Sequence, residues 1–378
     1  MRRPKSQPRG MSTGSTSQAE PITCSPPQRQ TTCRHPPQPT RLPSPMRCPH
    51  PWPPYPAAAS PRHWRRHASG PAASRQQTTS SDAHAAVVAL LRLTDAPGTS
   101  PGHGSSPAEL LTSSGDAERA LRTALDGAGG QATLLPVDPD PLISQAAADI
   151  ERWTAAAITL VSVLDPGYPV NLHAVHDRPA LLFVRGELRA DDERSVAIVG
   201  SRHASQEGLA HARRLATGLS EAGYVVASGL AAGIDAAAHT ATLDAGGRTL
   251  AVIGTGVDRV YPGVHASLQR TIAERGAVIS CFWPDQAPTR QSFPLRNGVM
   301  SGLTCATVIV EASSTSGTRV QARRALAHGR PVYLATKLLA QRWARELAER
   351  PNVRVSDTAD EIAAMIERQR DGRPLTDE

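Results

Sequence analysis

The chain has 378 residues and a formal net charge of +7. Residues 1–82 hold 17 of the 33 prolines and carry a net charge of +10, whereas residues 83–378 carry −3. The folded part is therefore not a globally basic nucleic-acid binder, and any contact with a polyanion there must come from local arginines.

Residues 1–82 are rich in Pro, Ser, Thr and Gln and show no aliphatic periodicity. Such a segment cannot bury enough apolar surface to offset its ordering entropy, so we predict a disordered tail. Its cysteines match no zinc-binding spacing, and Cys281 and Cys305 lie on apolar segments and are expected to be buried thiols. A reduced, cytoplasmic compartment and no metal are expected. No apolar run approaches the roughly 18 residues of a membrane span.

A small helical module is predicted for residues 84–157. A strand, a turn and a second strand follow it, with the turn at Asp165-Pro-Gly-Tyr-Pro169. The helical patterns lie at 84–93, 108–127 and 141–157, and the two strand patterns lie at 158–163 and 179–184.

From residue 195 onward, strand and helix patterns alternate regularly. Several strand patterns are near-continuous aliphatic runs, which is typical of strands buried on both faces. The sequence therefore predicts an α/β fold over residues 158–356, with a mostly parallel sheet and helices on both faces, followed by a C-terminal helix and tail at 357–378. Strands are predicted at 195–199, 224–228, 248–253, 277–281, 306–311, 331–335 and 352–355, and helices at 206–222, 233–245, 264–275, 295–303, 317–328, 337–349 and 358–368.

Five loops rich in small or polar residues follow these strands. Glycines let the backbone approach a phosphate closely, and hydroxyls and helix N-termini offer donors. A glycine at a strand end can also simply turn the chain, but five such loops on one sheet edge, with two arginines, favour an anion-binding site. The candidate phosphate- or DNA-binding residues are Gly200, Ser201, Arg202, Ser228, Gly229, Gly233, Asp235, His239, Gly254, Thr255, Gly256, Arg296, Asn297, Ser316, Gly317, Thr318 and Arg319.

Catalytic and nucleotide-hydrolase signatures are absent from the sequence. It contains no G-x-x-x-x-G-K-[ST] loop, no G-x-S-x-G elbow and no H-E-x-x-H pair. Asp235 and His239 share a helix face, where the aspartate serves as a helix cap, a ligand contact or an acid–base group. Glu311 ends a buried strand and is open to three roles: holding a ribose hydroxyl, orienting Arg296, or lying in solvent.

The runs VAIVGSR, VVASGLAAGIDAAAH, TLAVIGTGVD, FPLRN and VIVEA-x-x-x-SGT stand in one order over about residues 160–336. Together they resemble the DNA-processing protein A (DprA/Smf) family. The resemblance implies an extended Rossmann-like domain that binds single-stranded DNA, forms a homodimer and delivers DNA to the RecA recombinase during DNA uptake and transformation. It implies no cofactor and no established reaction.

The sequence departs from the family pattern at several positions. Ala232 and Gly298 stand where the family commonly has basic residues, and His265 replaces an asparagine. The resemblance therefore implies a DNA pocket short of two cations, one of which Arg319 could restore.

We therefore expect a DNA recombination mediator that protects incoming single strands and loads RecA, rather than an enzyme. Two alternatives stay open. One is a nucleotide or nucleotide-derivative sensor or a phosphoribohydrolase-like enzyme on the same fold, and the other is a degenerate paralogue that only makes interactions.

Overall fold

The computed structural model of the protein describes residues 73–94, 106–128, 138–313 and 317–371. Most of the predicted disordered tail lies outside these residues. The first helix begins at Ala73, inside the segment predicted as the tail. Once the buried run Ala85–Leu91 nucleates the helix, each further residue on its N-terminal side adds one hydrogen bond at little cost.

Four helices form the helical region that precedes the sheet. The predicted helix over 108–127 is two helices, because the chain leaves the first of them at Gly115, where φ is +65°. Ser106 begins that first helix with a reciprocal capping box to Glu109. The four helices are α1 (Ala73–Leu93), α2 (Pro107–Ser114), α3 (Ala117–Ala128) and α4 (Asp140–Ala155).

A nine-stranded sheet forms the centre of the fold. Its strands follow the order β1-β2-β6-β5-β4-β3-β7-β8-β9. Strands β3 to β9 pair in parallel, whereas β1 and β2 run antiparallel at one edge. The predicted, mostly parallel α/β sheet is confirmed. The strands are β1 (Thr159–Ser162), β2 (Leu181–Gly186), β3 (Ser195–Val199), β4 (Val225–Ser228), β5 (Thr249–Val252), β6 (Ala277–Ser280), β7 (Ala306–Ile309), β8 (Val332–Leu334) and β9 (Val353–Val355).

Further helices connect these strands. The predicted helix over 337–349 is instead a 3-10 turn, Thr336–Ala340, followed by a separate short helix. No helix within the described ranges is both long and apolar enough to cross a bilayer. The connecting helices are α5 (Val170–His173), α6 (Gln206–Glu221), α7 (Ile234–Asp244), α8 (Ala266–Arg275), α9 (Ser292–Leu303), α10 (Thr318–Ala327), α11 (Arg342–Ala348) and α12 (Ala359–Arg370).

Two apolar cores cover the two faces of the sheet. Val196 and Ile198 of β3 pack into a core with α6, α7 and α12, whereas Ala197 and Val199 face a larger core that includes α9 and α10. This alternation follows from the two-residue period of a strand. It explains why the parallel strands read as continuous aliphatic runs.

The helical region shares the larger core with the sheet. Trp153 of α4 lies with its ring centroid 5.2 Å from that of Phe183 in β2 and 5.9 Å from that of Trp283. One turn earlier on α4, the buried carboxylate of Asp149 pairs with Arg92 of α1 and with Arg152. The buried apolar side chains of α1 and of the strands therefore form one continuous cluster.

The carboxyl edge of the sheet has a crevice between β3 and β7. Successive strands run from β3 toward β6 on one side and from β7 toward β9 on the other, so their connections diverge at this point. Open parallel sheets bind ligands at such a switch point. The fold therefore places the loops after β3, β4, β5 and β7 around one opening.

Leu90→Ala should lower the free energy of unfolding by about 2–5 kcal/mol, because Leu90 is fully buried in the shared core. Leu110→Ala, at a half-buried position, is the milder control. Urea unfolding followed by Trp fluorescence and by circular dichroism should show one coincident transition. Two separate transitions, with only the first shifted by Leu90→Ala, would contradict the shared core.

Candidate functional site

Two adjoining cavities open at the carboxyl edge of the sheet. The aromatic cavity, of about 190 Å³, is bordered by Tyr261, Phe293, Gly254 and Thr255. The glycine cavity, of about 280 Å³, is bordered by Gly200, Ser201, Asn297, Gly317 and Thr318. The residues that line both are Arg202, His203, Ala231, Phe293 and Arg296.

Most of the residues proposed from the sequence meet at these two cavities. Those that line neither are Ser228, Gly233, His239 and Gly256, and Arg319 lines a separate cleft. Ser316 lies outside the described residues. The predicted residues that line a cavity are Gly200, Ser201, Arg202, Gly229, Asp235, Gly254, Thr255, Arg296, Asn297, Gly317 and Thr318.

The loop after β3 is fixed by close backbone contacts on both sides. The Ser201 N–H donates to the Glu311 carbonyl at 2.6 Å, and the Ile234 N–H donates to the Ser201 carbonyl at 3.2 Å. Gly233 has a φ of +82°, and a Cβ there would lie 2.2 Å from the Ser201 oxygen. Gly233 therefore allows the loops after β3 and β4 to lie in close contact, and it lines neither cavity.

Arg296 is a buried cation beneath the site. Its side chain enters from α9, Nη1 donates to the Val252 carbonyl at 2.9 Å, and Nε is buried with no partner. A Cβ at Gly229 would lie 1.5 Å from Nη1, so only glycine leaves room for the guanidinium. Burial lowers the pKa of Arg296, and the charge of Asp235 counteracts this.

Asp235 supplies the compensating negative charge. Its Oδ2 accepts the N–H of Gly229 at 3.1 Å and that of Ala231 at 3.4 Å. Burial raises the pKa of Asp235, against the opposing effects of Arg296 and these two donors. Asp235 thus holds the loop after β4 together, and its carboxylate is engaged with backbone.

An aromatic pair with an arginine above it separates the two cavities. The rings of Tyr261 and Phe293 lie 5.8 Å apart, and the Arg202 guanidinium lies 5.0 Å from the Phe293 ring centroid. Arg202 is exposed and Tyr261 is 42% exposed. The sequence pattern of small and charged residues did not identify Tyr261 and Phe293 as site residues. Since aromatic residues make up only 3% of the chain, two of them at strand-end loops were the available signal.

His239 does not belong to the site, which corrects the sequence prediction. The Thr249 hydroxyl donates to the Val226 carbonyl at 2.7 Å and therefore accepts the His239 Nδ1–H, also at 2.7 Å. Nε2 is buried without a partner. Burial lowers the pKa of His239 to about 3, so the ring is a neutral packing element of α7.

The sequence left open that Glu311 orients Arg296, but in the structure Glu311 contacts other residues. Its carboxylate accepts the Ser205 N–H at 3.0 Å and the Ser205 hydroxyl at 2.6 Å. Ser205 in turn caps α6 through the Gly208 N–H at 3.0 Å. Glu311 therefore stabilises a helix start instead of facing the ligand edge.

Ala232 and Gly298, which stand where the family commonly has basic residues, differ in their position relative to the cavities. Ala232 lines the aromatic cavity, so a cation is missing there. Gly298 lines neither cavity, and a Cβ at this position would point toward Asp177, 3.6 Å from Oδ2. The expectation that Gly298 removes a cation from the pocket is therefore wrong, because this position of α9 faces Asp177.

A buried polar chain on the far side of α9 resembles a catalytic triad in composition only. Ser301 Oγ lies 3.0 Å from His328 Nδ1, and His328 Nε2 lies 2.6 Å from Asp177 Oδ1. Ser301 is fully buried, so no substrate reaches its hydroxyl.

His176, Asp177 and His328 also offer ligand atoms within 4.8 Å of one another, which is the spacing that a divalent cation requires. However, Arg324 already donates to Asp177 Oδ2 at 2.8 Å. Burial works against ionisation, but the His328 hydrogen bond and the nearby cations lower the pKa of Asp177. The cluster therefore acts as an ion-pair network that fastens α10 to the α5–β2 segment.

Gly233→Ala should destabilise the protein more than Gly246→Ala. Both glycines have positive φ, but a Cβ at Gly246 meets nothing within 4 Å, whereas one at Gly233 meets backbone at 2.2 Å. We expect a loss of about 1–2 kcal/mol at Gly246 from strain alone, and a clearly larger loss at Gly233. Equal losses of unfolding free energy, measured by urea unfolding, would show that the loop after β3 can shift to accommodate a Cβ at position 233.

The pH dependence of stability should change when His239 is replaced by Gln. In the fold its pKa is about 3, against an ordinary value of 6.5, so between these values the unfolded chain binds the extra proton. Stability is therefore lost as pH falls from about 6.5 toward 3, by up to about 1.4 kcal/mol per pH unit. The difference in unfolding free energy between the two proteins, measured from pH 7 to pH 4, should change with that slope. Parallel profiles would contradict a neutral buried imidazole.

Known proteins are similar to this chain in sequence and in structure. DNA processing protein DprA of Streptococcus pneumoniae is 41% identical over 172 residues, covering 46% of this chain and 61% of that protein. Protein Smf of Escherichia coli is 42% identical over 167 residues, covering 44% and 45%. The chain thus matches about half of the length of these relatives.

The X-ray structure of DprA from Streptococcus pneumoniae superposes with a TM-score of 0.57 at 27% sequence identity, covering 76% of this chain and 96% of that one. The family model of DNA recombination-mediator protein A matches residues 159–365. Because this match spans more than half of the sequence, the chain belongs to the DNA recombination-mediator protein A family.

Proposed function

We propose that this protein binds single-stranded DNA across the two cavities and acts as a recombination mediator. The observation that carries the proposal is the Arg202 guanidinium above Phe293, between an aromatic cavity and a glycine cavity. Single-strand binding combines cations for the backbone with aromatic faces for the bases. Here both lie side by side at one sheet edge.

The glycine cavity suits a phosphate group. It lies at the start of α10, whose N-cap residue is Gly317. Helix N-termini bind anions through backbone N–H groups and the helix dipole. The buried charge of Arg296 and the exposed charge of Arg202 add positive potential to this cavity.

The aromatic cavity suits an unpaired base. Phe293 is half-buried and presents its ring beside Tyr261, 5.8 Å away. A base must leave the duplex to reach a recessed cavity, which favours single strands over double-stranded DNA. The site therefore discriminates by accessibility of the base and not by reading a groove.

The site carries out no chemistry in this proposal. Asp235 lines the glycine cavity, but its Oδ2 accepts two backbone N–H groups of its own loop, and both oxygens of Glu311 are engaged with Ser205. A glycosidic-bond hydrolase would need a carboxylate free of such bonds at the cavities. The geometry therefore favours binding over hydrolysis.

The wider role follows from the family and extends the proposal. The relatives are named DNA processing proteins, and the family is named for recombination mediation. We propose that this protein protects incoming single strands during transformation, loads RecA onto them, and works in the cytoplasm as a homodimer.

Arg202→Gln should weaken binding to a fluorescent oligo-dT and reduce the log–log salt slope by about 0.7, the value for one phosphate contact on a single strand. Phe293→Leu should cost about 1–3 kcal/mol of binding free energy with the salt slope unchanged, because it removes stacking and no charge. Fluorescence anisotropy at several salt concentrations measures both quantities.

Arg213→Gln, at an exposed position on α6 away from the cavities, is the matched control. The positive N-terminal segment is common to all variants, so its non-specific contribution cancels in the comparison with the parent chain. Equal affinity for single and double strands, or an Arg202→Gln slope equal to that of Arg213→Gln, would refute the proposal.

A further inference from the structure

A second arginine-lined cleft lies beside the site, between α10 and α11. It has a volume of about 190 Å³. The side chains that line it, defined here as the arginine cleft, are Arg319, Arg323, Trp343, Glu346, Leu347 and Arg350.

The cleft concentrates positive charge. Arg323 and Arg350 are exposed, and the half-buried Arg319 lies with its guanidinium 5.6 Å from the Trp343 ring centroid. Glu346 is the acidic residue of the lining, and its carboxylate is paired with Arg342 at 2.6 Å. The exposed charges of Arg323 and Arg350 therefore lie beside an acid that is already paired with another arginine.

This arrangement is unfavourable for the helix itself. Arg319 and Arg323 stand four residues apart on α10, and like charges at that spacing destabilise a helix. The ten residues of α10 include three arginines and no acid, and Arg324 is directed away to Asp177. An anion bound in the cleft would neutralise the exposed charges of Arg323 and Arg350.

Helix α10 connects the cleft to the proposed DNA site. Thr318 and Gln321 line the glycine cavity, whereas Arg319 and Arg323, one and two positions further along, line the cleft. A helix is about 10 Å across, so the two openings are separated by about the length of three stacked nucleotides.

We propose that the arginine cleft binds the phosphodiester backbone of the same single strand, about three nucleotides beyond the glycine cavity. The inference rests on the proposed function and adds a second segment to the DNA path. Trp343 is 8% exposed and its Nε1 donates to Gln341 at 2.7 Å, so it supports Arg319 and does not stack on a base. The cleft therefore recognises backbone charge and not sequence.

The test compares two oligonucleotide lengths on the full chain. For a labelled 12-nucleotide oligo-dT, Arg323→Gln combined with Arg350→Gln should weaken binding roughly threefold to thirtyfold at low salt and reduce the salt slope by about 1.4, two phosphate contacts. For a 3-nucleotide oligo-dT, which reaches only the two cavities, the same double variant should bind like the parent. Arg213→Gln combined with Arg214→Gln, an exposed pair on α6, controls for net charge.

The outcomes separate this inference from the proposed function. If Arg202→Gln weakens both lengths and the cleft variant weakens neither, the cleft inference is overturned and the proposed function stands. If the cleft variant weakens both lengths equally, or only as much as the α6 control, it acts through the overall field and the inference is again overturned. If neither Arg202→Gln nor the cleft variant changes binding, the proposed function itself fails. Unchanged thermal midpoints confirm that each variant is folded.

Discussion

The burial of one guanidinium organises the functional edge of this protein. Arg296 enters from α9 beneath the loops after β4 and β5, where Nη1 donates to the Val252 carbonyl at 2.9 Å. A buried charge is costly unless it is paired and hydrogen-bonded. The charge of Asp235 and the Val252 carbonyl offset part of this cost, and only glycine at position 229 leaves room for the guanidinium.

The same constraint explains why the edge is suited to binding. Asp235 accepts the N–H groups of Gly229 and Ala231, and its charge counteracts the effect of burial on Arg296. Arg202 stays exposed above Phe293, so positive charge and an aromatic face reach solvent together. Fixed cations beside an apolar face bind a flexible polyanion with little rearrangement of the protein.

Charge in the described fold is placed locally and not spread over the surface. Residues 83–378 carry a net −3, yet arginines gather at the sheet edge and on α10 and α11. Ala232 removes one cation from the aromatic cavity, while Gly298 faces the Asp177 network and removes none. Local arginines can therefore produce positive potential at one edge of a protein whose residues 83–378 are acidic overall.

The sequence alone predicted the strands, the mostly parallel sheet and the loops at its carboxyl edge. Aliphatic runs such as 195–199 and 306–309 are short-range patterns, and the glycines that end them are needed wherever the chain turns into a cavity. Those patterns carry their information within a few residues. For this reason the sequence predicts that Gly200, Arg202, Gly229 and Arg296 lie at one edge of the sheet.

Only the tertiary structure decided where individual side chains point. The packing of α6, α7 and α9 on the sheet decides whether His239 faces a cavity or Thr249. It also decides whether Glu311 contacts Arg296 or Ser205. The shared core of α1 with the sheet is likewise a contact between distant segments. A periodic pattern identifies the buried face of a helix, but the partner of that face is set by long-range packing, which no local spacing encodes.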